Sequence, residues 1–308
     1  MTRVELAALA LIVWGCAEPP PPLPPAPTFA MDRPSSAIPG DLDVAVRLDM
    51  DAARRLFGPT VGRALKLDIV DAATDAKTAE LLDEALARAR TVWIAFRPGL
   101  ATHLTDNVIV VRGDFGGLEP TVAGFDPPVD LGAGYRIYER APPKRRAAPS
   151  RIYARIDDWL VFVSEAEVDS AARAVEGRAG DTHVDPKDKG LVSLAARTAP
   201  LVPLLAPSFP TLADALEPAT EIAAVADADD RGLRATLEVG YTRESDAKAS
   251  LEQLTPLIAA LKGAQGVTGR LARGASATTQ GQVLVVTILL DPTKLAELIG
   301  CLDGGADC

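Results

Sequence analysis

The spacing of apolar residues changes several times along this chain. Asp43 to Asp49, DVAVRLD, alternates with Val44, Val46 and Leu48 on one side, which predicts a half-buried strand. From about Asp75 to Arg90 the spacing lengthens: Leu81, Leu82, Ala85, Leu86 and Ala89 share one face, which predicts a helix. Thr91 to Phe96 (TVWIAF) and Asn107 to Arg112 (NVIVVR) return to strand-like runs on either side of a turn. Gly113 to Gly134, rich in glycine and proline, reads as loop. Tyr135 to Glu139, Arg151 to Ile156 and Trp159 to Val163 predict short strands, and Glu165 to Glu176 a helix.

The second part of the chain repeats this order. Leu191 to Leu216 is apolar, reads as helical, and is broken by Pro200, Pro203, Pro207 and Pro210. Glu221 to Asp227 and Leu233 to Tyr241 predict a hairpin, the latter with Leu233, Ala235, Leu237, Val239 and Tyr241 on one side. A helix is expected from about Ser245 to Lys262, with Leu251, Leu254, Ile258 and Leu261 on one face. Strands are expected near Val267 to Leu271 and Val283 to Leu290, and Asp291 with Pro292 starts a helix to Leu302. The expected fold class is therefore α+β: antiparallel sheet with helices on one face, in two pseudo-repeated halves, 41–186 and 187–308.

Composition narrows the class. With 48% hydrophobic and 24% charged residues the body is globular, and 308 residues suffice for one large or two modest domains. A net charge of -10 argues against nucleic acid, whose phosphates are met by clustered lysine and arginine.

The amino terminus is organised differently. Leu6 to Gly15, LAALALIVWG, is too short to span a bilayer and reads as the apolar region of a secretory signal, residues 1–15. Pro19 to Pro27, PPPPLPPAP, predicts a polyproline II rod, so that residues 16–40 form a tether. Val13-Trp14-Gly15-Cys16 resembles the lipobox of Gram-negative bacterial lipoprotein precursors. The resemblance implies cleavage after Gly15 and lipidation of Cys16, hence a membrane partner through the amino-terminal lipid. Trp14 and Glu5 depart from the usual pattern, and the alternatives are an ordinary cleaved signal with a nearby cysteine or a buried amino-terminal helix, the latter disfavoured by the polyproline that follows at once. Ala17 lacks the aspartate that retains some lipoproteins at the inner membrane, which favours the outer membrane. The resemblance implies nothing about the body. Cys301 and Cys308 read as a disulfide in an oxidising envelope compartment, the alternative being two free thiols.

Chemical motifs are sparse. The nucleophile elbow, the zinc-protease helix, the phosphate-binding loop and the dinucleotide fingerprint are absent, and no cofactor or metal is expected. Ser245-Asp246-Ala247-Lys248 matches the S-x-x-K nucleophile motif without its companions and reads as a helix start. Asp227 to Gly232 faintly copies a calcium loop but reads as a polar hairpin turn. His103 and His183 read as surface residues, and Lys144, Arg145 and Arg146 as an exposed loop. The stretch Leu191 to Leu216 reads as a buried connection or as an apolar flap. Three functions follow: a non-enzymatic envelope lipoprotein that binds a protein or envelope component; a carrier of lipid or another apolar ligand; and a hydrolase with an unfamiliar site. The second is favoured if an apolar sheet face lies uncovered by helices.

Overall fold

A computed structural model describes residues 34–58, 76–98, 106–132, 134–141, 148–155, 158–175 and 184–293. Cys16, Cys301, Cys308, His103, His183 and the Lys144 to Arg146 cluster lie outside the described residues, as do the tether and the signal. Twelve strands form a single sheet whose described pairings are all antiparallel. In chain order they are β1 (Val44–Asp49), β2 (Ala89–Phe96), β3 (Asn107–Gly113), β4 (Val129–Gly132), β5 (Tyr135–Glu139), β6 (Pro149–Arg155), β7 (Trp159–Ser164), β8 (Val192–Arg197), β9 (Ala219–Asp229), β10 (Gly232–Tyr241), β11 (Ala275–Gln280) and β12 (Val283–Leu290). Across the sheet the order is β4-β5-β6-β7-β3-β2-β1-β8-β9-β10-β12-β11. The fold is α+β.

Seven α-helices are described: α1 (Met50–Phe57), α2 (Ala76–Arg88), α3 (Val168–Val175), α4 (Val202–Leu205), α5 (Pro210–Leu216), α6 (Glu244–Lys262) and α7 (Gly266–Arg273). Three expectations are corrected. The start of the proline-broken stretch is not helical but forms β8, because Val192, Leu194 and Ala196 alternate and both β1 and β9 offer free ladders. Val267 to Leu271 is not a strand but lies in α7, and the strand that pairs with β12 is β11, built of alanine, threonine and serine. The loop from Gly113 to Gly134 contains a 3-10 turn, Pro120–Ala123, and β4.

The strand order has an internal pseudo-twofold axis between β1 and β8. Outward from it, β1-β2-β3-β7-β6 is matched by β8-β9-β10-β12-β11. The match holds at the level of register. Val46 faces Leu194; Val46 pairs Ile94 as Leu194 pairs Ala224; Ile94 pairs Ile109 as Ala224 pairs Leu237; Ile109 pairs Phe162 as Leu237 pairs Val286. The last pair, Phe162 with Ile152 and Val286 with Ala277, completes a row of ten apolar residues on one face. That face carries the larger helices, and it is called the helical face below.

The first half is covered on both sides. On the helical face, Leu81, Leu82, Ala85 and Leu86 of α2 bury against Val92, Ile94, Ile109, Val111 and Phe162. On the opposite face, the 3-10 turn Pro34–Ala37 and α3 bury Ala37, Ile38, Ala171 and Val175 against Trp93, Val108, Val110, Trp159 and Val161. Burial from both sides explains why β3 and β7 are almost continuously apolar. Polar clasps fix these layers. Asp49 caps α1, accepting from the Ala52 amide at 2.8 Å. From α1, Arg54 donates to the carbonyls of Leu86, Ala87 and Ala89 at 2.8, 2.9 and 2.6 Å, satisfying the carboxyl end of α2.

Candidate functional site: the half-covered apolar face

In the second half the helical layer is thinner. The helix α6 lies across β11, β12 and β10, while α4 and α5 pack mainly on each other and on α6. Although Leu251, Leu254, Ile258 and Leu261 recur at helical spacing, only Leu254 of these four is buried; the others are partly exposed. None of the residues of α4 is buried, and Phe209, just beyond it, is 57% exposed. The short α4 begins with proline in its first turn and α5 with Pro210, so the prolines divide this stretch into two separate helices.

The consequence is visible along the ten-residue row. Ile152, Phe162, Ile109 and Ile94 are buried, whereas Val46, Leu194, Ala224, Leu237, Val286 and Ala277 are only partly buried. Leu48, Val192, Ala226, Ala235 and Ile288 beside them are partly buried too. All of these apolar side chains point to the helical face, as their register requires. A continuous apolar strip therefore runs from β1 over β8, β9 and β10 to β12 with incomplete cover.

A polar lock stands at one end of β10. The Ala215 carbonyl accepts from Tyr241 Oη at 3.2 Å and from Ser250 Oγ at 2.8 Å, tying α5, β10 and α6 together. Burial raises the Tyr241 pKa above its ordinary value, opposed in part by the hydrogen bond with Ser250. The other end of β10 turns tightly. Gly232 has φ of 114°, and a Cβ there would stand 1.9 Å from the Leu290 carbonyl oxygen, so glycine is required.

The opposite face of the second half is more polar. Lys187 bonds Glu238 at 2.6 Å across a hollow of about 270 Å³ that also meets Lys189, Val225, Asp227 and Arg234. At its edge Gly190, with φ of 76°, presses so close to Val225 and Ala226 that a Cβ would lie within 2.7 Å of a valine methyl.

The sequence motifs resolve into structural roles. Ser245 lies in the first turn of α6; the helix is entered through Arg243, which binds Asp246 at 2.9 and 3.0 Å, so Ser245 is not the cap. Lys248 pairs with Glu244 at 2.7 Å. Asp227 to Gly232 spans the end of β9 and the hairpin turn into β10, in which Asp229 accepts from the Arg231 amide at 2.8 Å. Among the described residues no three histidine, cysteine, aspartate or glutamate side chains gather to hold a metal, and no helix is long and apolar enough to cross a membrane. The half-covered strip escapes sequence reasoning, because it depends on how far the helices spread over the sheet.

Comparison with protein-family profiles and with curated protein sequences finds no match. Among solved structures, crystal form I of TP0453 is similar at a TM-score of 0.47 and 14% identity, covering 89% of this chain and 99% of that one. Crystal form III of the same protein gives 0.48 and 11%, covering 87% and 97%.

Proposed function

We propose that this chain is a lipid-anchored protein of the cell envelope that binds an apolar ligand, a lipid chain, against the helical face of its second half. The observation that carries the reading is the contrast along one row: apolar residues buried on β6, β7, β3 and β2, and only partly buried from β1 across β8, β9, β10, β12 and β11. Four strand spacings separate Val46 from Val286, roughly 19 Å at about 4.8 Å per strand. A lipid chain occupies about half of a bilayer core of about 30 Å, roughly 15 Å, so the strip is long enough to hold one. Each methylene withdrawn from water there contributes about 0.8 kcal/mol.

The anchor part of the proposal rests on Val13 to Cys16 and on the proline tether behind it. Intact mass of protein extracted from membranes tests it: loss of residues 1–15 with added acyl mass is expected, and an unlipidated mass overturns it. The ligand part is tested by titrating the protein with a fluorescent fatty acid. Leu237→Asp places a carboxylate in the middle of the strip and is expected to weaken binding at least about tenfold, equivalent to about 1.4 kcal/mol. Equal affinity in that variant and the parent sinks the ligand reading.

A further inference from the structure

The two ends of the sheet are built differently. At one end β4 has four residues, follows Pro127 and Pro128, carries Asp130, and meets β5 with a break in register between Asp130 and Gly132. Shortness, proline, charge and irregularity are the devices that keep a sheet edge from recruiting another chain. At the other end β11, ASATTQ, has six residues in unbroken register with β12, with no proline and no charge. No charged residue occurs from Gly274 to Leu290. The pseudo-twofold plan marks the same place. Strand β6, the counterpart of β11, is flanked by β5, with Tyr138 beside Ile152, whereas no described strand stands beside Ala277.

The ladder fixes which backbone groups face outward. The Gly274 carbonyl accepts from the Leu289 amide at 3.0 Å, so the residues of β11 that bond β12 are Ser276, Thr278 and Gln280. The N–H and C=O groups of Ala275, Ala277 and Thr279 point away from the sheet, and no bond to them is found among the described residues. A second β11 laid antiparallel, with a twofold axis at Ala277, sets Ala275 against Thr279, Ala277 against Ala277 and Thr279 against Ala275. Each of these pairs exchanges both of its N–H···O bonds. On the exposed side Ser276 then faces Thr278, a pair of hydroxyls, and no like charges meet. Because β4 is guarded, the pairing closes at two copies instead of growing into a filament.

We propose that β11 is an interaction edge and that its partner is a second copy of this chain, the two sheets joining β11 to β11 around the Ala277 pair. The axis stands perpendicular to the sheet, so both helical faces lie on one side and the apolar row of one copy runs on into that of the other. This inference goes beyond the apolar-ligand reading and does not depend on it, because the pairing is a property of the edge alone.

Sedimentation velocity of the full chain in non-ionic detergent, over a series of concentrations, tests the pairing. The parent is expected to sediment as a dimer that dissociates on dilution. Ala277→Pro removes an outward N–H without touching the bonds to β12 and blocks the approach of the second strand, so the dissociation constant should rise at least about tenfold. Should circular dichroism show that variant to be unfolded, Thr278→Lys decides. Its side chain stands exposed and brings two like charges together across the axis, with weakening again expected. A parent that stays monomeric at every concentration, or that grows beyond two copies, overturns the proposal, and so does a dimer that a folded variant leaves unchanged. Register is read by Ala277→Cys, which on oxidation should link two chains through position 277, where the Cα atoms lie about 5.5 Å apart. Gln280→Cys, whose two copies lie about 20 Å apart, should give no such link. A missing link at 277, or a link at 280, refutes the pairing.

Discussion

The two halves share a strand order and a register but divide their stabilising interactions differently. The first half seals its sheet between two layers and clasps them with a buried charge. Arg97 bonds Glu167, only 2% exposed, at 2.9 Å and the Asp41 carboxylate at 2.6 Å; burial works to lower the guanidinium pKa, but these two partners together outweigh it and raise the pKa above its ordinary value. In the second half the sheet carries alanine and threonine at many matching positions, and its helical face remains partly open. A common backbone plan therefore does not dictate a common core. Side-chain size on the sheet, and the spread of the helices over it, decide which half is sealed and which offers a surface.

The sharpest way to break this comparison is to remove matched side chains. Phe162→Ala is expected to cost about 3 to 5 kcal/mol, because it empties a packed site. Its counterpart Val286→Ala, only partly buried, should cost about 1 kcal/mol or less. Urea midpoints of the two variants measure the difference, and equal losses would show the halves to be equally packed.

Next in size is the clasp. Arg97→Met leaves Glu167 buried without its cation, and about 3 kcal/mol of stability should be lost. Arg97→Met combined with Glu167→Gln should recover part of that loss, since no uncompensated charge remains. The smallest effect concerns Tyr241. Its folded pKa is raised above the unfolded value near 10, so its contribution is complete below that pH and is lost as pH climbs through and beyond it. Tyr241→Phe should cost about 1 kcal/mol at neutral pH and make stability less sensitive to alkali, measured by urea unfolding between pH 8 and about 11.

Much of the fold is legible in the chain because period and burial agree. Strands β1, β2, β3, β7 and β10 announce themselves by alternating or continuous apolar runs, and α2 and α6 by their helical spacing. Three elements hide for separate reasons. Strand β8 merges into an apolar, proline-broken stretch, and its conformation is chosen by the ladders of β1 and β9. Strand β11, ASATTQ, carries no large apolar residue and is recruited by the free edge of β12. Helix α7 contains two valine or leucine positions that mimic a strand, but Gly269 lets it approach the Ala264 carbonyl, where a Cβ would stand 1.8 Å away. The candidate strip is illegible for a different reason. Leu237 and Ile109 occupy matching places in similar strands, and only the reach of the helices above them makes one half-exposed and the other buried.

The meeting of β1 and β8 at the centre of the sheet also sets a problem of timing. Strand β1 is synthesised before any other, yet one of its two neighbours follows far behind: Arg47 and its partner Gly190 are separated by 143 positions. At about 5 to 20 residues per second the ribosome needs roughly 7 to 30 s to cover that distance. Through that interval β1 has an open edge, the kind on which chains aggregate. Arg47 offers protection from within the strand, since a guanidinium resists burial against a foreign strand that brings no anion. When β8 arrives it brings one: Asp188 comes to 2.7 Å from Arg47 Nε, and the Gly190 carbonyl accepts from the same side chain at 3.1 Å. The charge that guards the unfinished edge becomes, in the finished protein, the rivet between its halves.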